Sequence, residues 1–128
     1  MPHFIVEYTA NLENELALDT LFANVHRQLI AKQLFPTGGI LGLARRIEHY
    51  CFADGLGDHA GVHVELKLSA TRPQALREEI GQNIFATLQA HFADLQARRF
   101  QALSMEVGLF HPGAFFNSNN LHALFEHS

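Results

Sequence analysis

The hydrophobic positions of the chain recur with two different periods, and these alternate along the sequence. Residues 3–8 form a β-branched and aromatic run in which Phe4, Val6 and Tyr8 share one face. A period of two predicts a strand. Residues 62–68 alternate more regularly, with four apolar positions against three polar ones. They predict the clearest strand of the chain.

Two further segments predict strands from less regular patterns. Ala44 to Phe52 reads as a strand that ends in a turn rich in glycine and aspartate over residues 53–58. Leu103 to Leu109 alternates apolar and polar or small residues before His111-Pro112-Gly113 turns the chain. The sequence therefore predicts four strands.

Apolar residues at three- and four-residue steps predict two helices between these strands. The first runs from about Asn14 to Lys32, and its buried face consists of Leu18, Leu21, Phe22, Val25 and Leu29. The second begins at Pro73, which suits a first helical turn. We expect one long helix along the stripe Leu76, Ile80, Ile84, Leu88, Phe92 and Leu95. The tail, Asn117 to Glu126, predicts one short helix.

The order strand, helix, strand occurs twice, and both crossovers are long enough for parallel pairing. We predict an α+β fold in which two βαβ units form a four-stranded mixed sheet with two helices on one face. With 128 residues and 48% apolar positions, the chain predicts a single domain. The halves span about 2–52 and 60–110, and a C-terminal tail spans 111–128.

Two helices on one face leave the other face of the sheet bare. That face is expected to be partly apolar, with Ile5 and Phe52 on it. No third layer is available in so short a chain, so the pattern predicts a homo-oligomer. The tail is rich in apolar residues, and we expect it to pack on a neighbouring subunit.

Composition excludes several classes of function. A formal net charge of −4 argues against nucleic-acid binding. Cys51, the one cysteine, suits a reducing cytoplasm, and the sequence shows no signal peptide or membrane-spanning run. The nine histidines form no motif with metal-ligand spacing, so no metal site is expected. We expect a cytoplasmic protein without a nucleic-acid or membrane partner.

Pro2 is the residue whose chemistry stands out. If Met1 is removed, Pro2 presents a secondary amine at the start of a strand. Burial or a nearby cation lowers the pKa of an amine, and the neutral amine is a general base. Proline at this position also occurs where it only leads into a strand. Position alone does not decide between these interpretations.

The chain resembles the 5-carboxymethyl-2-hydroxymuconate isomerases of homoprotocatechuate breakdown, within the tautomerase superfamily. The resemblance spans the whole chain and is carried by Met1-Pro2-His3-Phe4-Ile5-Val6-Glu7, Phe35-Pro36, Gly39-Ile40, Ala53-Asp54-Gly55, His63, Leu66-Lys67, Arg72, His91-Phe92, Ala102-Leu103-Ser104, His111-Pro112, Asn119-Asn120 and His122-Ala123-Leu124-Phe125.

This resemblance implies a trimer, no cofactor, and Pro2 as the acid/base that moves a proton across a tricarboxylic dienol. Arg72 falls where the family has a carboxylate-binding arginine. The family places a second arginine where this chain has Leu41. Arg45 and Arg46 lie nearby as substitutes, but four residues of strand span about 13 Å. They are candidate substrate-binding residues on opposite faces of one strand.

Three functions remain open at this point. The first is an isomerase acting on 5-carboxymethyl-2-hydroxymuconate. The second is a tautomerase-fold enzyme for another conjugated or β-keto carboxylic acid, which Leu41 favours. The third is a trimeric binding protein without catalytic activity, which a retained Met1 favours because an amide nitrogen is not basic.

Overall fold

A computed structural model describes residues 1–126 and contains one four-stranded sheet. The strands are β1 (His3–Thr9), β2 (Leu41–Ile47), β3 (Ala60–Ser69) and β4 (Gln101–Phe110). Their order across the sheet is β2-β1-β3-β4. Strand β1 is parallel to β2 and antiparallel to β3, which is parallel to β4. The predicted mixed sheet of two βαβ units is confirmed.

The helices are α1 (Leu18–Ala31), α2 (Gln74–His91) and α3 (Ala93–Arg98). Helix α1 begins four residues later than Asn14 because Ala17 has a left-handed φ of 47°. The prediction of one long second helix is wrong at its end. Phe92 has φ −98° and ψ 7°, which interrupts the helix before α3. Phe92 and Leu95 are nevertheless buried, so the apolar stripe continues across the break.

The second strand is displaced from its predicted position. It was expected over Ala44–Phe52 but spans Leu41–Ile47. The partner strand sets these limits, because β1 pairs residue by residue with β2 from His3–Leu41 to Thr9–Ile47. Beyond Thr9 the chain turns into a short 3-10 helix and offers no further ladder. Pairing with β1 therefore overrides the local pattern of residues 48–52.

The core lies between the helices and one face of the sheet. Its fully buried large side chains are Phe4, Val6, Leu12, Leu21, Val25, Leu29, Leu66, Leu68, Ile80, Ile84, Leu88 and Phe92. Burying one such side chain contributes about 1.5–3 kcal/mol. Because alternate residues of β1 and β3 enter this core, the intervening residues must face the other side of the sheet.

That other side, called here the open face, combines apolar and polar side chains, in agreement with the expectation that it is partly apolar. It carries Ile5 and its neighbour Leu43, which is 43% exposed. It also carries His63, whose Nδ1 lies 2.7 Å from the hydroxyl of Ser104. Phe52 lies outside the strands, and its ring contacts the backbone at Gly61. The open face is therefore amphipathic, and described residues of this chain cover only parts of it, Phe52 at Gly61 and Phe115 beside His3.

The tail contains a 3-10 helix at Asn120–Phe125. It packs on the loop Thr37–Gly39 of its own chain, where His122 lies against Gly38. The predicted tail, 111–128, extends to two residues that lie outside the described part of the chain. None of the described helices is long and apolar enough to cross a membrane.

Candidate active site

Pro2 is buried and directly precedes β1, a central strand of the sheet. Its carbonyl oxygen accepts a hydrogen bond of 3.0 Å from the backbone N–H of Leu41. A proline at the first position of a strand costs no ladder hydrogen bond. The parallel pairing of β1 with β2 therefore fixes the backbone at Pro2.

Arg72 lies close enough to the chain terminus to act on its charge. In the chain with Met1 in place, burial lowers the pKa of the terminal amine, and the positive charge of Arg72 lowers that pKa further. The Arg72 guanidinium donates to the carbonyl of Leu34 and lies 5.1 Å from the ring centroid of Phe35. These two contacts hold the cation near the start of α2.

Aromatic side chains line the same end of the sheet. The His3 ring contacts Phe110 edge-on, with 4.6 Å between the ring centroids. The ring centroids of Phe110 and Phe115 lie 4.3 Å apart. Burial lowers the pKa of His3, and the positive charges of the terminal amine and of Lys67 lower it further. His3 is therefore held toward its neutral form beside the terminus.

The C-terminal segment closes over the terminus from a second side. Asn119 donates from Nδ2 to the carbonyl of Gly38 at 2.7 Å. Asn117 Nδ2 lies 3.6 Å from the Met1 sulfur. A Cβ at Gly38 would lie 2.8 Å from the backbone nitrogen of His122, so this approach requires glycine. Sequence reasoning did not assign these residues to the site, although Asn119 and His122 are among the matches that carry the resemblance.

Arg45 and Arg46 lie at the other end of β1. Arg45 pairs with Glu7 and Arg46 with Tyr8 in the ladder. The level of Glu7 lies four residues along β1 from His3, a distance of about 13 Å. Arg46 is bound to Glu48, with Nε 2.6 Å from Oε1. The structure does not bring either arginine to Pro2 within one chain. Their assignment to the site stays a prediction that requires another subunit.

A cavity of about 250 Å³ lies at that same far end of β1. It is lined by Glu7, Tyr8, Thr9, Ile47, Tyr50, Phe52, Gly61, Val62, His63, Ala102 and Ser104. The lining includes neither Pro2 nor Arg72. Within residues 1–126, no three or more histidine, cysteine, aspartate or glutamate side chains are grouped to hold a metal ion. The titratable and charged groups that the structure brings to the Pro2 end are the terminal amine, His3, Lys67 and Arg72.

Comparison with known proteins identifies a family for the whole chain. The family model of 5-carboxymethyl-2-hydroxymuconate isomerase matches residues 2–125. The chain is 41% identical over 126 residues to the 5-carboxymethyl-2-hydroxymuconate Delta-isomerase of Escherichia coli, covering 98% of this chain and 100% of that protein.

Solved structures agree with this match. A 5-carboxymethyl-2-hydroxymuconate isomerase from Deinococcus radiodurans R1 has a TM-score of 0.90 and 36% identity, covering 97% of this chain and 93% of that chain. A fused 4-OT wild-type symmetric trimer shares the fold at a TM-score of 0.62 and 15% identity, covering 86% and 88% of the two chains. The chain belongs to the 5-carboxymethyl-2-hydroxymuconate isomerase family and is an isomerase of the tautomerase fold.

Proposed function

We propose that this protein is a cofactor-independent isomerase that converts the dienol 5-carboxymethyl-2-hydroxymuconate into its conjugated 2-oxo form, with Pro2 as acid and base. The observation that carries the proposal is the buried Pro2 at the start of a central strand. It lies next to a terminal amine whose pKa is lowered by burial and by the positive charge of Arg72. The family supplies the class of substrate.

Removal of Met1 frees the Pro2 nitrogen as a secondary amine. The same burial and the same Arg72 charge that lower the pKa of the Met1 amine then act on an amine one residue deeper. An amine with a lowered pKa is largely unprotonated near neutral pH and serves as a general base. This proposal is consistent with the family model, which matches this chain from residue 2.

The proposed reaction moves one proton and shifts two double bonds. The Pro2 amine takes the proton from the 2-hydroxyl, and the C2–O bond becomes a carbonyl. The two carbon–carbon double bonds at C2–C3 and C4–C5 are replaced by one double bond at C3–C4, and Pro2 returns the proton to C5. Atoms and electrons balance without an oxidant or reductant. A single group thus acts first as base and then as acid.

Arg72 is proposed to bind a substrate carboxylate during this transfer. No carboxylate among residues 1–126 forms a salt bridge with it. It also directly precedes Pro73 and α2, where free N–H groups and the helix dipole favour an anion. A charge-assisted contact placed beside the developing charge stabilises the transition state as well as the bound substrate.

We also propose that the protein is a trimer, because its open face carries exposed apolar side chains and a tautomerase-fold neighbour is a symmetric trimer. A second candidate substrate class, other conjugated or β-keto acids, is favoured by Leu41. This residue stands beside His3 at the Pro2 end and is 37% exposed, so an apolar side chain occupies a position where the family resemblance implies an arginine.

The test combines intact mass with an ultraviolet assay on 5-carboxymethyl-2-hydroxymuconate. We expect protein lacking Met1 to isomerise this substrate rapidly, and protein with an acylated terminal amine to lose the activity. A processed chain that does not turn over this substrate but does turn over another conjugated acid supports the second candidate. Retention of Met1 with no turnover supports the binding protein, because an amide nitrogen has no basic lone pair.

A further inference from the structure

Three side chains stand in one row across the sheet at its Pro2 end. His3 pairs with Leu41 of β2 on one side and with Lys67 of β3 on the other. Register partners in a pleated sheet point to the same face and lie about 4.5–5.5 Å apart. Lys67 is the one cation in this row, two strands away from the apolar Leu41.

The Lys67 side chain is held at the site by an aromatic ring. Its Nζ lies 4.7 Å from the ring centroid of Phe110, and His3 packs on this same ring. Among residues 1–126 no carboxylate forms a salt bridge with Lys67. The acidic neighbour on the same face, Glu65, lies beside the stem of Lys67, because a Cβ at Gly108 would be 2.9 Å from Glu65 Oε2 and 3.2 Å from Lys67 Cγ, yet the two charged groups form no salt bridge. The ammonium of Lys67 is therefore positioned while its charge is not neutralised by an ion pair.

The charges at this end of the sheet act on one another. Arg72 lowers the pKa of the terminal amine, and that amine and Lys67 both lower the pKa of His3. Several positive charges therefore lie near the terminus and His3, and an anionic ligand would offset their repulsion. The proposed substrate carries three carboxylates, whereas Arg72 pairs with one.

We propose that Lys67 is a second carboxylate-binding residue of the Pro2 site and selects substrates that carry a carboxylate beyond the one held by Arg72. This inference rests on the function proposed above for the site. Lys67 occupies the same row as Leu41, two strands away, so it provides a positive charge at the same end of the sheet as the position where the resemblance implies an arginine. Arg45 and Arg46 are not needed for this contact.

The test compares a tricarboxylate with a dicarboxylate. Lys67→Gln is expected to lower kcat/KM for 5-carboxymethyl-2-hydroxymuconate roughly 10- to 100-fold, mainly through KM, the range of a lost charge-assisted hydrogen bond. For 2-hydroxymuconate, which lacks the carboxymethyl group, we expect a change below about threefold. Lys67→Arg retains the charge and should recover most of the loss. Lys32→Gln is the matched control, because Lys32, the other lysine, pairs with Glu79 on the helices.

Calorimetry with tricarballylate, a tricarboxylate that cannot tautomerise, separates this inference from the proposed function. Weaker binding to Lys67→Gln than to the wild type supports the role of Lys67 even if no substrate is turned over. If the wild type turns over both substrates normally, two results for Lys67→Gln overturn the role of Lys67 alone. One is an equal loss of kcat/KM on the two substrates, and the other is no loss on either. A wild type that neither turns over the substrates nor binds tricarballylate overturns both proposals.

Discussion

A cation beside an amine makes the amine easier to deprotonate, and the Arg72 side chain acts on the terminus in this way. The two contacts that hold Arg72, to Leu34 and Phe35, come from the segment before β2. A residue that follows β3 is thereby fixed against a distant part of the chain. At the scale of single residues, the site therefore depends on a side chain whose position is set by long-range contacts.

Replacement of Arg72 with alanine should affect both substrate binding and the pH profile. Loss of a charge-assisted carboxylate contact is expected to lower kcat/KM roughly 10- to 100-fold. Because Arg72 lowers the pKa of the amine, its removal raises that pKa, and the amine keeps its proton to higher pH. The rising limb of the kcat/KM profile should therefore move to higher pH, as measured by ultraviolet assays across the pH range.

Arg27→Ala provides the control for this measurement. Arg27 is exposed on α1, on the helical side of the sheet, and we expect neither kcat/KM nor the pH profile to change. An Arg72→Ala protein whose rising limb stays at the wild-type pH would show that Arg72 does not tune the catalytic amine.

At the scale of elements, the C-terminal 3-10 helix and the loop Thr37–Gly39 form one unit beside the amino terminus. Asn119 connects them, because Nδ2 donates to Gly38 while Oδ1 accepts from the N–H of Leu121 and caps the helix. The same loop leads into Leu41, which bonds to Pro2. The tail therefore supports the backbone that positions the proposed catalytic residue.

Asn119→Ala should loosen this unit without unfolding the domain. Removing the two hydrogen bonds is expected to cost roughly 1–3 kcal/mol locally. Hydrogen exchange followed by mass spectrometry should show faster exchange over 37–41 and 120–125, with the core strands unchanged. Asn120→Ala is the matched control, because Asn120 is exposed. Equal exchange in the two variants would contradict this function of Asn119.

At the scale of the whole molecule, helices cover one face of the sheet, and the described residues leave most of the other face uncovered. The open face combines apolar and charged side chains, with Leu43 next to Ile5. Exposed apolar surface next to polar groups is typical of an interface between subunits. The proposed trimer would bury this face and would also bring other subunits to the Pro2 end of the sheet.

Leu43→Lys tests whether this face is the interface. A charge placed in a buried apolar contact is costly, so we expect the trimer to dissociate at micromolar concentration. Light scattering after size-exclusion chromatography measures the mass directly. Ile30→Lys is a matched control, since Ile30 is 44% exposed on α1 and Leu43 is 43% exposed on the open face. A monomeric wild type would contradict the trimer, and an unchanged Leu43→Lys trimer would exclude this face.

The sequence by itself determined the element order, the two βαβ units, the core faces of β1 and β3, and the family. These follow from local periodicity and from the motifs that carry the family resemblance. Only the tertiary structure decided where β2 begins and ends, because its limits come from the pairing of Leu41–Ile47 with β1. For the same reason, periodicity did not reveal that Lys67 stands beside His3 while Arg45 lies far from Pro2. Register between strands distant in sequence depends on the folded sheet, and it determines which charges lie near the amino terminus.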